Sequence, residues 1–288
     1  MADVTWRTSR RIIVPAGDPT PVVMGIVNVT PDSFSDGGRL PGVEAALDHA
    51  RRLAAEGALL LDLGGESSRP GSESVPLVEE LRRVIPVIQA VAGAVDLPLS
   101  VDTTRAEVAR RALDAGASIV NDITAMTGDP EMARVVAGSG AGVVLMHMQG
   151  VPRTMQHEPR YDDVVAEVYD FLARRVDWAV AQGIPRDRIA VDPGIGFGKA
   201  IGHNLAILRD LGRFATLGCA VLVGTSRKGF LGTITGRGVG ERATASAVSS
   251  LAACVAGARV VRVHDVAAAV DAIKVWGAIR GWPEEETS

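Results

Sequence analysis

Eight short apolar runs alternate with segments of helical periodicity along most of the chain, and this alternation restricts the fold more than any other feature. Each run is rich in valine, isoleucine and leucine and ends in polar residues or glycine. The runs cover residues 22–28, 59–63, 97–102, 118–122, 142–147, 189–192, 220–224 and 260–264. Apolar strands that alternate with helices indicate a parallel sheet covered on both faces. Eight such units in about 265 residues favour a closed (β/α)8 barrel over an open doubly wound sheet.

The segments between the runs have the spacing of amphipathic helices. Apolar residues of 43–56 fall on one helical face, and four further segments behave likewise: 105–115, 164–182, 244–257 and 266–280. We therefore predict an α/β protein whose single domain, residues 21–282, is a (β/α)8 TIM barrel. Residues 1–20 are predicted to be a short N-terminal extension, interpreted as a hairpin closing the barrel floor, and residues 283–288 a disordered tail.

Composition and charge exclude several classes of protein. Of the 288 residues, 30 are basic and 34 acidic, which leaves a net charge of −4 and argues against a protein that coats nucleic acid or anionic lipid. No apolar run reaches the roughly 18 residues that span a bilayer. Cys219 and Cys254 lie in apolar surroundings and are predicted to be buried thiols of a reducing compartment. We expect a cytoplasmic enzyme or binding protein with no nucleic-acid or membrane partner.

Polar residues gather at the carboxyl ends of the predicted strands, where (β/α)8 barrels carry their active sites. These residues are Asn28, Asp62, Asp102, Asn121, Asp122, His147, Asp192, Lys228, Arg262 and His264. Helix capping explains any single one of them equally well, because Asp and Asn before a helix accept hydrogen bonds from its free N–H groups. Capping does not explain the whole ring, so the pattern indicates a ligand site.

The residue types indicate which ligand such a site would hold. Asp102, Asn121 and Asp192 offer acceptors to a flat heterocycle whose edge is rich in N–H donors, much as side chains read the edges of bases. Lys228 is able to donate to a ring carbonyl. At the first and eighth strands, which adjoin in a closed barrel, Asn28, Arg262 and His264 form a candidate anion site with a metal-compatible oxygen.

Three loops are distinctive. Those at 30–38 and 64–71 are long, polar and glycine-bearing, and they are either lids or irregular connections; the residues alone leave both open. The third, GIGFGK at 194–199, has the wrong glycine spacing for a dinucleotide fingerprint. We interpret it as a place of close backbone approach, with Phe197 offering a stacking face.

Several of these segments together resemble dihydropteroate synthases. Residues 24–38 read MGIVNVTPDSFSDGG and residues 62–71 read DLGGESSRPG, which are similar to two signatures of that family. SVDT at 100–103, VND at 120–122, DPGIGFGK at 192–199, GTSRK at 224–228 and RVHD at 262–265 follow in the family's order. The resemblance implies a pterin-binding barrel that joins 6-hydroxymethyl-7,8-dihydropterin diphosphate to p-aminobenzoate, giving 7,8-dihydropteroate and pyrophosphate in folate biosynthesis.

The resemblance also implies a role for particular residues. The pterin-binding set is Asp102, Asn121, Met146, Asp192, Phe197 and Lys228, and the diphosphate-binding set is Asn28, Arg262 and His264. The p-aminobenzoate-binding set is Phe34, Ser68, Arg69, Pro70, Ser226 and Gly229. Asn28 is implied to hold Mg²⁺, and Asp36, Asp102 and Lys228 to be catalytic. A homodimer that uses the outer helices is implied as well; the apolar face of 245–255 agrees with it, although packing against the barrel explains that face equally well.

One position departs from the family, and two other functions remain open. Many members place a serine after Ser-Arg-Lys to hold the p-aminobenzoate carboxylate, whereas this chain has Gly229 and hence one contact fewer. The first alternative is a methyltetrahydrofolate:corrinoid methyltransferase, which shares the pterin edge but does not need a diphosphate site. The second is a degenerate paralogue that only binds pterins or a partner. Asn28, Arg69, Lys228 and Arg262 argue against this second reading.

Overall fold

A closed barrel of eight parallel strands forms the centre of the protein. The structure is a computed structural model that describes residues 4–29, 39–66, 71–72 and 74–282. The barrel strands are β3 (Val22–Asn28), β4 (Leu60–Gly64), β5 (Leu99–Asp102), β6 (Ile119–Asp122), β7 (Gly142–Met146), β8 (Ile189–Asp192), β9 (Ala220–Val223) and β10 (Val260–Val263). Each pairs with the next in parallel, and β10 closes the barrel by pairing with β3, with Val260 opposite Val22. The predicted (β/α)8 fold is confirmed.

Helices surround the barrel. In the described part of the chain they are α1 (Arg39–Ala55), α2 (Leu77–Ala92), α3 (Ala106–Asp114), α4 (Met132–Ser139), α5 (Val164–Ala181), α6 (Ile201–Arg209), α7 (Gly229–Thr235), α8 (Ala243–Val255) and α9 (Val266–Arg280). The predicted strand at 22–28 and the predicted helix at 266–280 match in both bounds. The predicted strand at 189–192 also matches in both bounds, and the strand predicted at 59–63 is shifted by one residue to 60–64. The remaining five predicted strands are one or two residues too long, at the start for 97–102 and 118–122 and at the end for 142–147, 220–224 and 260–264.

The apolar residues divide into two layers, as expected when both faces of a barrel strand are covered. One layer lies between strands and helices and includes Leu61, Val101 and Val261. The other fills the barrel interior, where Met24, Leu60 and others meet. Since alternate residues of a strand point to opposite faces, neighbours such as Leu60 and Leu61 belong to different layers.

A two-stranded antiparallel hairpin, β1 (Trp6–Arg7) and β2 (Ile12–Val14), packs on the inner layer. Trp6 is fully buried there, and its indole N–H donates to the carbonyl of Arg188, next to the start of β8. The backbone N–H of Ser9 donates to Gly140 just before β7. The hairpin therefore covers the end of the barrel where the strands begin, which leaves the opposite end for the site.

Within the described residues no helix is long and apolar enough to cross a membrane. Cys219 and Cys254 are both buried and free, as predicted from their apolar surroundings. The proposed tail at 283–288 and the loop residues 30–38 and 67–70 lie outside the described part of the chain.

Candidate active site

The carboxyl ends of the barrel strands surround a cavity of about 820 Å³. It is lined by the largest group of the sequence-predicted site residues: Asn28, Asp102, Phe197, Ser226, Lys228, Gly229, Arg262 and His264. Asn121, Met146 and Asp192 do not line it; each is at most 7% exposed at the ends of β6, β7 and β8. Phe34, Asp36, Ser68, Arg69 and Pro70 lie outside the described residues.

Arg262 joins two carboxylates at the wall of the cavity. Its Nε donates to Asp62 Oδ2 at 2.6 Å, and its Nη2 donates to Asp102 Oδ2 at 3.0 Å. Asp62 is fully buried, and its Oδ2 also accepts from Asn121 Nδ2 at 3.1 Å. Its Oδ1 makes no hydrogen bond among the described residues. Four strands, β4, β5, β6 and β10, thus contribute to one charged network.

The pKa of Asp102 is raised by its buried surroundings. Burial, together with the nearby carboxylates of Asp62 and Glu80, raises the pKa of Asp102 to about 7, against the opposing effect of Arg262. A buried carboxylate with a pKa near neutrality is typical of functional sites, since it changes charge under working conditions.

Asp192 and Lys228 form the second charged pair. Asp192 Oδ1 accepts from the backbone N–H of Gly194 at 2.7 Å, which leaves Oδ2 as its freer oxygen. Burial raises the pKa of Asp192, although the positive charge of Lys228 opposes this. Burial also lowers the pKa of Lys228 to about 8. Lys228 Nζ donates to the Ile195 carbonyl and lies 4.5 Å from the centroid of the Phe197 ring.

The loop after β8, residues 194–199, is held against the end of β7. A Cβ added to Gly194 would clash with the His147 carbonyl, and one on Gly198 would clash with the Gln149 carbonyl. Both glycines have positive φ. Asn204 of α6 accepts from Gly196 N at 2.7 Å and donates to the Lys199 carbonyl. The predicted close backbone approach is confirmed.

His264 and Ser226 form the side of the mouth near β9 and β10. Ser226 Oγ accepts from the backbone N–H of His264 at 3.1 Å and lies 3.1 Å from His264 Nδ1. The neighbouring Arg227 binds both carboxylate oxygens of Asp265, at 3.0 and 2.5 Å. Arg227 has a φ of 56°, a strained backbone conformation fixed by this ion pair and by the Ser246 hydroxyl, which accepts from its N–H.

Sequence reasoning missed part of this site. Asp62 and His147 were noticed at strand ends but given no role, and Lys199 was only part of a motif. Asn204 is also buried and fixes the 194–199 loop. The available signal was position: Lys199 and Asn204 follow a strand that ends in an acidic residue, as functional groups of a barrel often do.

The described residues include no group of three or more His, Cys, Asp or Glu side chains able to hold a metal ion. Mg²⁺ commonly binds few protein groups together with phosphate oxygens and waters. The amide of Asn28, which lines the cavity, supplies a suitable oxygen donor.

Comparison with known proteins agrees with this geometry. The family described as pterin binding enzyme matches residues 24–264. The dihydropteroate synthase of Synechocystis sp. is 46% identical over 258 residues, 89% of each chain. The Xanthomonas albilineans dihydropteroate synthase solved with 4-aminobenzoic acid is 49% identical, with a TM-score of 0.90 over 98% of this chain and 100% of that one. The same enzyme in complex with 7,8-dihydropteroate is similar with a TM-score of 0.83 over 92% and 95%.

Proposed function

The chain belongs to the pterin-binding enzyme family and has dihydropteroate synthase activity, and from this premise we propose how its own residues carry out the reaction. The substrates are 6-hydroxymethyl-7,8-dihydropterin diphosphate and p-aminobenzoate, and the products 7,8-dihydropteroate and pyrophosphate, in folate biosynthesis. The observation that carries the proposal is the meeting of Asp62, Asp102, Asn121 and Arg262 in one network at the mouth of the barrel.

The pterin ring binds along its donor-rich edge. Asp192 accepts from ring N3–H and the exocyclic amine, and Asn121 and Asp102 face the neighbouring ring nitrogens. The hydrogen bond from Asn121 Nδ2 to Asp62 supports this role, because it leaves Asn121 Oδ1 as an acceptor. Lys228 reaches the ring carbonyl, and Met146 and Phe197 form the apolar walls.

The diphosphate binds in contact with Asn28, Arg262 and His264. Arg262 is pre-positioned by the two carboxylates that accept from its Nε and Nη2, which leaves the N–H groups of Nη1 as donors to phosphate oxygens. Asn28 would hold Mg²⁺ that arrives with the diphosphate. When bound, Mg²⁺ neutralises charge that develops on the leaving group.

The reaction breaks the bond between the pterin methylene carbon and the bridging oxygen, and the electron pair leaves with pyrophosphate. The amine nitrogen of p-aminobenzoate then attacks the methylene carbon and loses a proton. Asp102, together with Asp36, stabilises the cationic pterin formed between these steps. Closure of the two loops after the first barrel strands would limit attack by water on that cation. Because the aromatic amine is already nucleophilic, no strong base is required.

The p-aminobenzoate site extends from Ser226 and Gly229 towards Phe34, Ser68, Arg69 and Pro70 of the two loops after the first barrel strands. Ser226 and Gly229 line the cavity, which supports their part in this site. The two loops are proposed to close over the substrates and pyrophosphate. Arg69 of the second loop would then act on p-aminobenzoate more than on the pterin.

Release of pyrophosphate tests this proposal directly. The purified protein, supplied with the dihydropterin diphosphate, p-aminobenzoate and Mg²⁺, is expected to release one pyrophosphate for each dihydropteroate formed. Omission of p-aminobenzoate controls for simple hydrolysis, and chelation of Mg²⁺ is expected to reduce turnover strongly. Pterin binding without turnover at any Mg²⁺ concentration would instead favour a protein that only binds pterins. Absence of pyrophosphate release would favour a methyltransferase.

We also propose a homodimer that works in the cytoplasm. Val248 and Val255 of α8, and Val275 and Ile279 of α9, are each more than half exposed and form an apolar surface on two adjacent outer helices. The free thiols of Cys219 and Cys254 agree with a reducing compartment.

A further inference from the structure

Lys199 is buried at the junction between β7 and the loop that follows β8. It is 2% exposed, yet it lies on the wall of the active-site cavity. Its Nζ contacts His147 Nδ1 at 2.9 Å, the Phe197 carbonyl at 3.0 Å and the His147 carbonyl at 3.4 Å. One ammonium group therefore connects the end of one strand with the loop of the next.

The groups that Lys199 contacts are neutral acceptors. Burial, together with the charge of Lys199, lowers the pKa of His147 to about 3, so this imidazole carries no charge at neutral pH. Its Nδ1 then accepts from Lys199, and the ring proton resides on Nε2. A buried ammonium with only neutral acceptors is costly unless a negative charge is near. Asp192 is the carboxylate that acts on Lys199 through space.

The loop itself has anchors that do not involve Lys199. Tyr161 Oη donates to the Gly198 carbonyl at 2.8 Å, and Asn204 binds Gly196 and the Lys199 carbonyl. The His147 ring packs edge-on against Phe171, with centroids 4.9 Å apart. These anchors hold Gly196, Gly198 and the Lys199 backbone, whereas the Phe197 carbonyl is held by Lys199 Nζ.

We propose that Lys199 is a positioning residue for the pterin ring. Its contacts with His147 and the Phe197 carbonyl hold Phe197 against the ring. Its positive charge acts on the Asp192 carboxylate, which binds the edge of the ring. The proposal rests on the pterin site proposed above. Asp192 is able to accept hydrogen bonds from both ring N–H groups only as an anion, and the positive charge of Lys199 favours that anion.

Other charges near Asp192 and Lys199 determine the pH range in which the effect of Lys199 on pterin binding is measurable. Lys228 and Arg262 also act on Asp192, and Lys228 opposes the charge on Lys199. Burial lowers the pKa of Lys199 to about 7, so its support for Asp192 is greatest below pH 7. The pKa of Asp102 is shifted by burial and by Arg262, Asp62, Glu80 and Asp122, so the titration of Asp102 is expected to be the same with or without Lys199.

The test measures binding of the dihydropterin diphosphate by calorimetry between about pH 5 and 9. Lys199→Met and Lys199→Gln remove the charge, and Gln retains a donor in case Met impairs folding. Both are expected to weaken binding roughly tenfold below pH 7. Both should also shift the acid-side loss of binding to higher pH, because the pKa of Asp192 rises when a nearby cation is lost. Tyr161→Phe, which loosens the same loop but keeps the charge, should leave that pH dependence unchanged.

Lys274→Met is the matched control, since Lys274 is exposed on α9, and it should bind like the wild type. Wild-type affinity in both Lys199 variants, or an equal loss at every pH, would overturn the inference while the proposed function stands. Failure of the wild-type protein to bind the pterin would overturn the proposed function and this inference with it.

Discussion

The polar atoms of the site residues differ in whether they already have a hydrogen-bond partner within the protein or are available to a ligand. The Nδ2 of Asn121 and one oxygen of Asp192 already have partners within the protein, Asp62 and Gly194 respectively. Their remaining oxygens are acceptors, which matches the edge of a pterin that carries N–H donors. The specificity of the site is therefore set by internal hydrogen bonds as much as by residue type.

Asp192→Asn is expected to weaken pterin binding by about 1–3 kcal/mol, because the new amide presents a donor where the ring also donates. Isothermal titration calorimetry measures the effect. Asp170→Asn on the exposed side of α5 is the matched control and should change nothing. Equal affinities for the wild type and Asp192→Asn would contradict the assignment of this carboxylate.

Gly229→Ser is expected to lower the KM for p-aminobenzoate severalfold, since a hydroxyl here would add a contact with the substrate carboxylate worth about 1 kcal/mol. The site has room, because a Cβ on Gly229 meets nothing within 4 Å. Steady-state kinetics at saturating pterin provides the measurement. Gly202→Ser, which is similarly open on α6, is the control. A KM that does not fall would remove Gly229 from the p-aminobenzoate site.

Asp102 is expected to make folding stability depend on pH. Its folded pKa, about 7, is above the ordinary value of 3.8. Protonated Asp102 therefore contributes its whole share of the free energy of unfolding below about pH 4, and this share is lost as pH rises through 7. Asp102→Asn removes this loss. In urea unfolding, the variant should gain stability relative to wild type between pH 5 and about pH 8. A constant difference between the two proteins would contradict the raised pKa.

Among the elements, the loop after β8 shows how backbone packing creates one wall of the cavity. Gly194 and Gly198 approach the carbonyls after β7 more closely than any side chain permits. This approach brings Phe197 and Lys199 to the cavity wall. The loop is thus shaped by contact between two neighbouring barrel units rather than by its own sequence alone.

Gly194→Ala is expected to destabilise the protein by about 1–3 kcal/mol and to weaken pterin binding more than p-aminobenzoate binding. The reasons are the positive φ of this residue and the clash of a Cβ with the His147 carbonyl. Thermal unfolding and calorimetry measure the two effects. Gly202→Ala, which meets no atom within 4 Å, should not destabilise α6. Unchanged stability of Gly194→Ala would show that the loop tolerates a side chain.

At the scale of the whole molecule, closure of the barrel separates stability from function. The Trp6 hairpin and the inner apolar layer occupy the end where strands begin, and the charged network occupies the end where they finish. Arg262 on β10 and Asp62 on β4 are 200 positions apart in sequence. They meet because β10 and β4 both pair with β3 in the closed barrel. The exposed apolar residues of α8 and α9 lie on the outside of the barrel and belong to neither end.

Val248→Glu combined with Ile279→Glu is expected to convert the proposed dimer to a monomer, because both residues are more than 60% exposed and would bring like charges into the interface. Light scattering coupled to size-exclusion chromatography determines the mass. Val78→Glu, at a 76% exposed position of α2, is the matched control and should leave the mass unchanged. A wild-type monomer would contradict the dimer itself.

The order of strands and helices, the closed barrel and the end of the barrel with the polar residues all follow from the amino-acid sequence. Hydrophobic periodicity is a local property, and the carboxyl ends of parallel strands always share one side. Its motifs likewise predict Asp102, Asn121, Asp192, Lys228 and Arg262 as site residues, of which Asp102, Lys228 and Arg262 line the cavity. Local patterns were enough for these conclusions.

Only the tertiary structure decided which atoms of these residues have partners and which stay available. The hydrogen bonds of Asp62 with Asn121 and Arg262, and of Lys199 with His147, join residues 52 to 200 positions apart. The shifted acidities of Asp102 and Lys199 follow from burial that closure of the barrel creates. Such contacts depend on the register of neighbouring strands and on the shape of glycine loops, which no local pattern of residues encodes, because they exist only once distant segments have packed.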